Sequence, residues 1–250
     1  MMKERTLRVL EFTKIRDRLA SKAMTDMGRE SCEALVPSSN MTEIQRMQAE
    51  TEEATVILQY VGASPLVPFS DVRASLTLAE KGATLSQKAL LEVAALMQSA
   101  RAARKALDTE RDNTPILKEL AQRLSTLHNV EQDITNAIIS EDEIADRASN
   151  ELMDIRRHLR GANERIKEKL NQMIRSSAFQ KYLQDPIVTM RNDRYCLPVK
   201  AEYRGSVPGL VHDQSSTGAT LFIEPMAAVE MGNELKTWAA KEKQEIERIL

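Results

Sequence analysis

Between Ser149 and Leu183 the apolar residues recur every three or four positions, as they do along one side of an α-helix. Their mean spacing of about 3.5 residues is that of a narrow coiled-coil seam. The pattern predicts one continuous helix, roughly 50 Å long at 1.5 Å per residue, packed against a single partner helix. The seam consists of Leu152, Ile155, Leu159, Ala162, Ile166, Leu170 and Met173.

The apolar period shortens to two after Pro186, which indicates β-structure. Two strand-like runs, IVTMR and RYCLPVK, flank Asn192-Asp193, and we expect a hairpin with a two-residue turn there. LVHDQ and ATLFIEP predict a second pair of strands around SSTG. Pro198 has no backbone N–H, so its strand is expected to lie at an edge or to bulge there. The helical period returns at Met226, and this last helix is the expected partner of the seam.

The chain before residue 129 is predicted to form shorter helices. Thr25 and Ser86 are candidate N-caps, because their hydroxyl groups can accept a free N–H of the first helical turn. Thr114 followed by Pro115 is a typical helix start. The predicted fold is therefore mainly α, with a helical core and two long antiparallel helices that hold a small antiparallel β element between them. The predicted regions are 1–128 (core), 129–185 (connection and outgoing long helix), 186–225 (β element) and 226–250 (returning long helix).

Composition supports an α-rich protein with long charged helices, because 29% of the residues are charged, 4% are aromatic and only eight are glycine. No apolar run of about 18 residues is present, so no membrane span is expected. Cys32 and Cys196 are far apart and lack metal-ligand spacing, which favours a reduced, cytoplasmic protein. The last residues, IERIL, carry no helix stop signal, and we expect the protein to continue beyond them.

The charge distribution changes this picture. Net charge is −2, but residues 154–204 hold twelve Lys or Arg against six Asp or Glu. Such a positive stretch on an acidic protein is a candidate footprint for a polyanion. The alternative is that these cations face solvent or pair with acidic neighbours on adjacent helices. Few aromatic residues are interspersed, which favours duplex DNA or structured RNA over stacked single strands. The candidate nucleic-acid-facing residues are Arg156, Arg157, Arg160, Arg165, Lys169, Arg191, Arg194, Lys200 and Arg204.

Motifs for catalysis are missing from the 250 residues. There is no GxxxxGK[ST] phosphate loop, no HExxH, no CxxC and no GxSxG. His212, Asp213 and Ser215 supply the letters of a hydrolytic triad, but near neighbours on one strand do not converge easily. The acidic run EDEIAD lacks the ligand spacing and the glycine of a calcium loop, so a solvated turn is expected. No catalytic residue, metal or cofactor is therefore predicted in this chain.

The run RNDRYCLPVKAEYRGSVPGLVHDQSSTGATLFIEPMAAVEMGNEL closely resembles the MutS-II family, bacterial relatives of MutS that suppress recombination. TDMGR at 25–29, EKGATLS at 80–86 and IADRASNEL at 144–152 fit the same family. The resemblance covers essentially the whole chain. It implies that the two long helices are levers, that the β element is a clamp-like region, and that this is the core, lever and clamp portion of a longer protein.

The resemblance also implies partners and activities that these residues do not carry. Family members continue into an ATPase domain, which uses ATP and Mg²⁺, and usually end in an Smr endonuclease domain. They form homodimers that encircle nucleic acid, and some are implicated in rescuing collided ribosomes. The expected function is thus non-catalytic gripping of duplex or branched DNA, or of a ribosome and its rRNA, with no membrane partner. The alternative is a helical interaction or dimerisation module that binds no nucleic acid.

Overall fold

The computed structural model describes residues 4–61, 66–108 and 113–250. Its contacts divide the chain into two compact units, one reaching up to Ala145 and the other running from Asp146 to Ile249. The architecture is mainly α with small antiparallel sheets, which confirms the predicted fold class. The finer division into four regions stays a prediction. No helix among the described residues is long and apolar enough to cross a membrane.

The first unit consists of helices and one short hairpin. Its helices are α1 Glu4–Val9, α2 Phe12–Ala20, α3 Asp26–Glu33, α4 Met41–Val61, α5 Arg73–Glu80, α6 Gln87–Leu107, α7 Pro115–Arg123 and α8 His128–Ala137, followed by strands β1 Ile138–Ser140 and β2 Glu143–Ile144.

Two of the predicted N-caps in this unit are confirmed. The Thr25 hydroxyl accepts the N–H of Gly28 at 3.1 Å at the start of α3. The Ser86 hydroxyl accepts the N–H of Ala89 at 3.2 Å at the start of α6. Each of these bonds satisfies one of the backbone donors that a helix leaves unpaired at its first turn.

Helix α7 begins at Pro115, as predicted, but its N–H groups are also satisfied by another helix. Glu53 on α4, which is 7% exposed, accepts the N–H of Ile116 at 3.2 Å and that of Leu117 at 2.8 Å. A carboxylate at a helix N-terminus also interacts favourably with the helix dipole. Glu53 therefore ties α4 to α7 across 63 residues of sequence.

The second unit consists of two long helices and a four-stranded sheet. Its elements are a 3-10 turn at Asp146–Ala148, α9 Asn150–Arg175, α10 Ser177–Gln180, β3 Thr189–Arg191, β4 Arg194–Lys200, a second 3-10 turn at Ala201–Ser206, β5 Gly209–Gln214, β6 Thr220–Pro225 and α11 Met226–Ile249.

Helix α9 is shorter than the sequence predicts. It starts as expected, with the Ser149 hydroxyl accepting the N–H of Leu152 at 2.9 Å, but it ends at Arg175 rather than at Leu183. Ser176 adopts an extended conformation, and the chain turns. The physical reason is burial, because Leu183 is 4% exposed and packs into the core below the sheet. A straight helix through residue 183 would have carried this side chain away from that core.

The four strands are antiparallel, in the order β3-β4-β6-β5. The predicted hairpin is confirmed, with Asn192 and Asp193 both in the left-handed region and Arg191 opposite Arg194. Strand β4 as a whole lies between β3 and β6 and has no bulge at Pro198, but at the proline it pairs with β6 alone among the strands of the sheet. Strand β3 ends opposite Cys196, before it reaches the proline. The missing N–H therefore leaves no β3 partner unsatisfied.

Apolar packing joins the sheet to both long helices. Seam residues of α9 and the start of α11 meet β4 and β6, and the Tyr195 hydroxyl donates to the Asn163 side chain at 2.8 Å. This packing confirms that α9 and α11 enclose a small β element. The core cluster consists of Ile166, Leu170, Leu183, Leu197, Val199, Val207, Ile223 and Ala228.

The sheet also curls until its two edges touch. β3 and β5 are the outer strands, yet the Asn192 amide donates to the His212 carbonyl at 3.0 Å. The Arg191 guanidinium lies 3.1 Å from the Asp213 carboxylate. These contacts cover part of the β5 edge, which would otherwise present unpaired backbone groups.

Candidate nucleic-acid interface

The arginines in the first half of α9 are held in ion pairs. Arg156, whose side chain is only 19% exposed, contacts Asp146 and Glu242, each at 2.7 Å. Arg160 contacts the other oxygen of Asp146 at 3.1 Å. The hydrogen bonds from Arg156 and then Arg160 lower the pKa of the Asp146 carboxyl below its ordinary value. These contacts join α9 to α11 and to the turn before α9, and they leave little of the Arg156 charge for a phosphate.

Two further arginines of α9 are paired at the surface. Arg165 donates to both carboxylate oxygens of Glu234 on α11, at 3.0 and 3.1 Å. Arg157 pairs within its own helix with Asp154 at 3.0 Å. At about 100° per residue, Arg156 and Arg165 project from opposite sides of the α9 axis. Arg156 and Arg165 therefore cannot both contribute to a single cationic face of the helix.

The predicted arginines of the sheet are also engaged. Arg191 lies over the Phe222 ring, 4.1 Å from its centroid, as well as beside Asp213. Arg194 is paired with the buried Glu224 at 3.1 Å. Arg204 donates to the backbone carbonyls of Val207 and Gly209. Each of these guanidinium groups therefore stabilises the curled sheet.

Within the described residues, three of the nine candidates have no carboxylate as an ion-pair partner: Arg204, which is held by backbone carbonyls, and the lysines Lys169 and Lys200. Lys169 and Lys200 form no ion pair with any residue in the described ranges, and Lys169 is exposed. The N–H of Lys200 donates to the carbonyl of Tyr182, which places it beside the segment that follows α9. Of the nine candidates, these two ammonium groups are the ones most available to a phosphate. Whether any of the nine contacts nucleic acid stays a prediction.

The nine candidate residues do not include a lysine and two tyrosines that lie next to Lys200. Lys181 lies 4.9 Å from the centroid of the Tyr182 ring, and Tyr182 in turn contacts Tyr203 at 5.4 Å. Both tyrosines are half-buried against the core. The tip surface, defined as Lys181, Tyr182, Lys200 and Tyr203, thus combines cations with aromatic rings. The adjacent Lys-Tyr and Tyr-Arg pairs in the sequence were the available signal.

The excess of positive charge in residues 154–204 is local to the sequence. The whole unit from Asp146 to Ile249 holds seventeen Lys or Arg and fifteen Asp or Glu. Folding brings the balancing carboxylates in from outside the window, as Arg156 with Glu242 and Arg165 with Glu234 show. Pairing with acidic neighbours, the alternative raised by the sequence, therefore accounts for most of the candidate arginines.

Comparison with known proteins gives a consistent result. The chain is 46% identical to an Endonuclease MutS2 of Acetivibrio thermocellus, 48% to that of Alkaliphilus oremlandii and 47% to that of Symbiobacterium thermophilum. Each similarity extends over all of this chain. The chain belongs to the MutS2 family. No family model matches it. The chain spans about a third of the length of the MutS2 relatives named here, 31 to 32%.

The described part of this MutS2 chain contains no arrangement typical of a catalytic centre. His212 contacts the buried Glu224 at 2.8 Å, and the Ser215 hydroxyl accepts the N–H of Thr220. The histidine and the serine therefore have other partners and do not form a hydrolytic triad with Asp213. Burial, reinforced by Glu224, raises the pKa of the Cys196 thiol to about 11, which makes it a poor nucleophile. No cluster of three or more potential metal ligands occurs among the described residues.

Proposed function

We propose that this chain is a non-catalytic arm of a MutS2 protein that holds duplex DNA with the sheet carried by α9 and α11. One observation carries the proposal. The two helices are antiparallel and fastened along their length, from Ser149 with Glu245 at one end to Arg165 with Glu234 nearer the sheet. A pair of helices joined in this way can transmit a rotation from one end to the other. The name of the relatives, Endonuclease MutS2, supports a substrate made of nucleic acid.

Within this proposal the tip surface and Lys169 make the phosphate contacts, whereas the paired arginines of α9 keep the arm rigid. Phosphate binding requires cations that are not already neutralised. Reversing Arg156 would place a new carboxylate beside Asp146 and Glu242 and would weaken the arm itself. Lys169 and Lys200 are therefore the better residues with which to test binding.

The test is a titration of the 250-residue chain with labelled duplex DNA at several salt concentrations. We expect affinity to fall as salt rises, and each of K169E and K200E to reduce the salt slope by about one. K243E is the matched control, because Lys243 is an exposed lysine of α11 outside the candidate set. A chain that binds neither DNA nor structured RNA at low salt, or a K243E variant as defective as K200E, would contradict the proposal. Tighter binding to structured RNA than to duplex DNA under the same conditions would favour rRNA as the substrate.

We further propose that ATP, Mg²⁺ and endonuclease chemistry belong to other parts of longer MutS2 proteins, where they would drive recombination suppression or ribosome rescue in a homodimer. The 250 residues contain no phosphate loop. Incubation of the purified chain with ATP and Mg²⁺ should release no phosphate above background. Measurable turnover by the pure chain would place an active site here and overturn this division of roles. A cytoplasmic location also stays a prediction.

A second candidate function is suggested by exposed apolar side chains of the first unit. Val9, Leu10, Ile15 and Val36 are each more than half exposed, between 58 and 73%. Exposed large apolar side chains are typical of protein–protein interfaces when they are contiguous. Light scattering at rising concentration tests this interaction module, because association that L10D and I15D abolish would favour it.

A further inference from the structure

The carboxylate of Glu224, on strand β6, is almost completely buried, with 1% of the side chain exposed. One of its oxygens accepts a hydrogen bond from Arg194 Nη1 at 3.1 Å. The other lies 2.8 Å from His212 Nε2. A buried carboxylate is costly unless it is paired and hydrogen-bonded, and this one has a partner on each oxygen. Since the three residues lie on β4, β5 and β6, one carboxylate ties three strands together.

Helix α11 lies directly on this ion pair. A Cβ atom added at Gly232 would come within 2.5 Å of Glu224 Oε1 and 2.7 Å of Arg194 Nη1, both far below normal contact distance. Arg194 also reaches the helix with its second nitrogen, which donates to the Asn233 side chain at 2.7 Å. A glycine at position 232 lets the helix backbone approach these two charged groups, and a methyl group there would force one or both side chains to move.

We propose that this junction cluster, consisting of Arg194, His212, Glu224, Gly232 and Asn233, is the device that fixes the orientation of the sheet on α11. Apolar packing between the sheet and the helices is non-directional. Charge-assisted hydrogen bonds have defined lengths and angles, so they select one orientation. When one member of the cluster is lost, the apolar core still holds the sheet against the helices, but the sheet can rock.

The junction cluster supplies the connection between the sheet and α11 that the ion pairs between α9 and α11 do not provide. α9 and α11 are fastened to each other by ion pairs, and the junction cluster fastens α11 to the sheet, so the sheet moves with the helices as one body. The consequence for nucleic-acid binding rests on the function proposed above, because only a gripping arm needs this rigidity. The junction itself can be tested without any nucleic acid.

The experiment measures the distance between the sheet and α11 by double electron–electron resonance. Spin labels are attached to S216C, in the exposed β5–β6 loop, and to A239C, on the exposed side of α11, in a C32S background. Cys196 stays unlabelled because it is fully buried. The parent should give one narrow distance distribution, and E224Q should lose it in favour of a broad one. E245Q is the matched control, since Glu245 is a buried carboxylate of α11 that contacts Ser149 and Arg248 rather than the sheet.

A second variant keeps the test decisive if E224Q does not fold. Asn233 is exposed, and N233A removes only the hydrogen bond from Arg194 to the helix. It should widen the distribution while the helix content, measured by circular dichroism, stays unchanged. If the folded variants gave distance distributions as narrow as that of the parent, the proposed role of the junction cluster would be wrong. Equal widening in E245Q would also overturn it, by showing that loss of any buried carboxylate has the same effect. Weak DNA binding by a chain with a narrow distribution would count against the proposed function alone.

Discussion

The imidazole ring of His158 on α9 is stacked on the indole ring of Trp238 on α11, with centroids 4.4 Å apart and planes inclined by 4°. Both residues lie outside the buried seam, so this pair adds a contact between the helices at their polar margin. It sits between the ion pairs that Arg156 and Arg165 form with α11. The two helices are thus joined by stacking and charge as well as by apolar packing.

Removing the stacked imidazole should loosen the helix pair locally. We expect H158A to lower the free energy of unfolding by about 0.5–1.5 kcal/mol, as for other aromatic pairs. Trp238 is the only tryptophan of the chain, so its fluorescence reports this site alone. Emission should shift to longer wavelength as one ring face becomes exposed to water. H128A, a histidine of the first unit, should leave emission unchanged, and an unshifted spectrum in H158A would show that the stack does not form.

Stability should depend on pH through Glu245. Hydrogen bonds from Arg248 and then Ser149 lower the pKa of this carboxyl from 4.5 to about 2. A pKa that is lower in the folded state stabilises the protein above the unfolded value and loses that effect as pH falls toward the folded value. Stability should therefore decrease between about pH 4.5 and pH 2, and E245Q should show a smaller decrease over the same range. Urea unfolding at several pH values measures this difference, and parallel curves for the two proteins would contradict it.

The capping of α7 by Glu53 should be measurable. E53A leaves two N–H groups of α7 without their acceptor in a buried site, and we expect a loss of about 1–3 kcal/mol in the free energy of unfolding. Glu119 is a suitable control, because it is exposed and its ion-pair partner is Arg123, one turn away on the same helix. E119A should change the free energy of unfolding by no more than about 0.5 kcal/mol. Equal effects of the two substitutions, measured by denaturant unfolding, would refute the capping role.

The two glycines inside the long helices should respond oppositely to alanine. A Cβ at Gly161 on α9 would meet only the end of the Arg165 side chain, at 3.6 Å, so G161A should stabilise the protein by about 0.5–1 kcal/mol through helix propensity. G232A should destabilise it, because the new methyl group collides with Glu224 and Arg194. Thermal unfolding of the two variants gives the comparison. A stabilised G232A would mean that α11 does not press on the ion pair.

Much of the local structure could be predicted from short stretches of sequence. The Ser149 cap and the seam from Leu152 to Leu170 are visible in the sequence, because side-chain period and capping depend on neighbours within one or two turns. The hairpin at Asn192-Asp193 was predictable for the same reason, since these residues tolerate the left-handed conformation that a two-residue turn requires.

The availability of the basic residues was not predictable in this way. A count over residues 154–204 shows a cationic segment, but it cannot show that Glu242 would lie 2.7 Å from Arg156, a residue 86 positions earlier. That pairing depends on the register with which two helices cross. The register in turn is set by apolar packing over the whole length of the pair.

The sequence by itself determined that this chain has two long helices around a small antiparallel sheet, and its resemblance identified the family. Only the tertiary structure decided where α9 ends, which cations are neutralised, and how Glu224 comes to lie beneath Gly232. The physical reason is range: helical period, caps and turns arise between residues a few positions apart. Ion pairs and close backbone approaches arise between residues that only folding brings together.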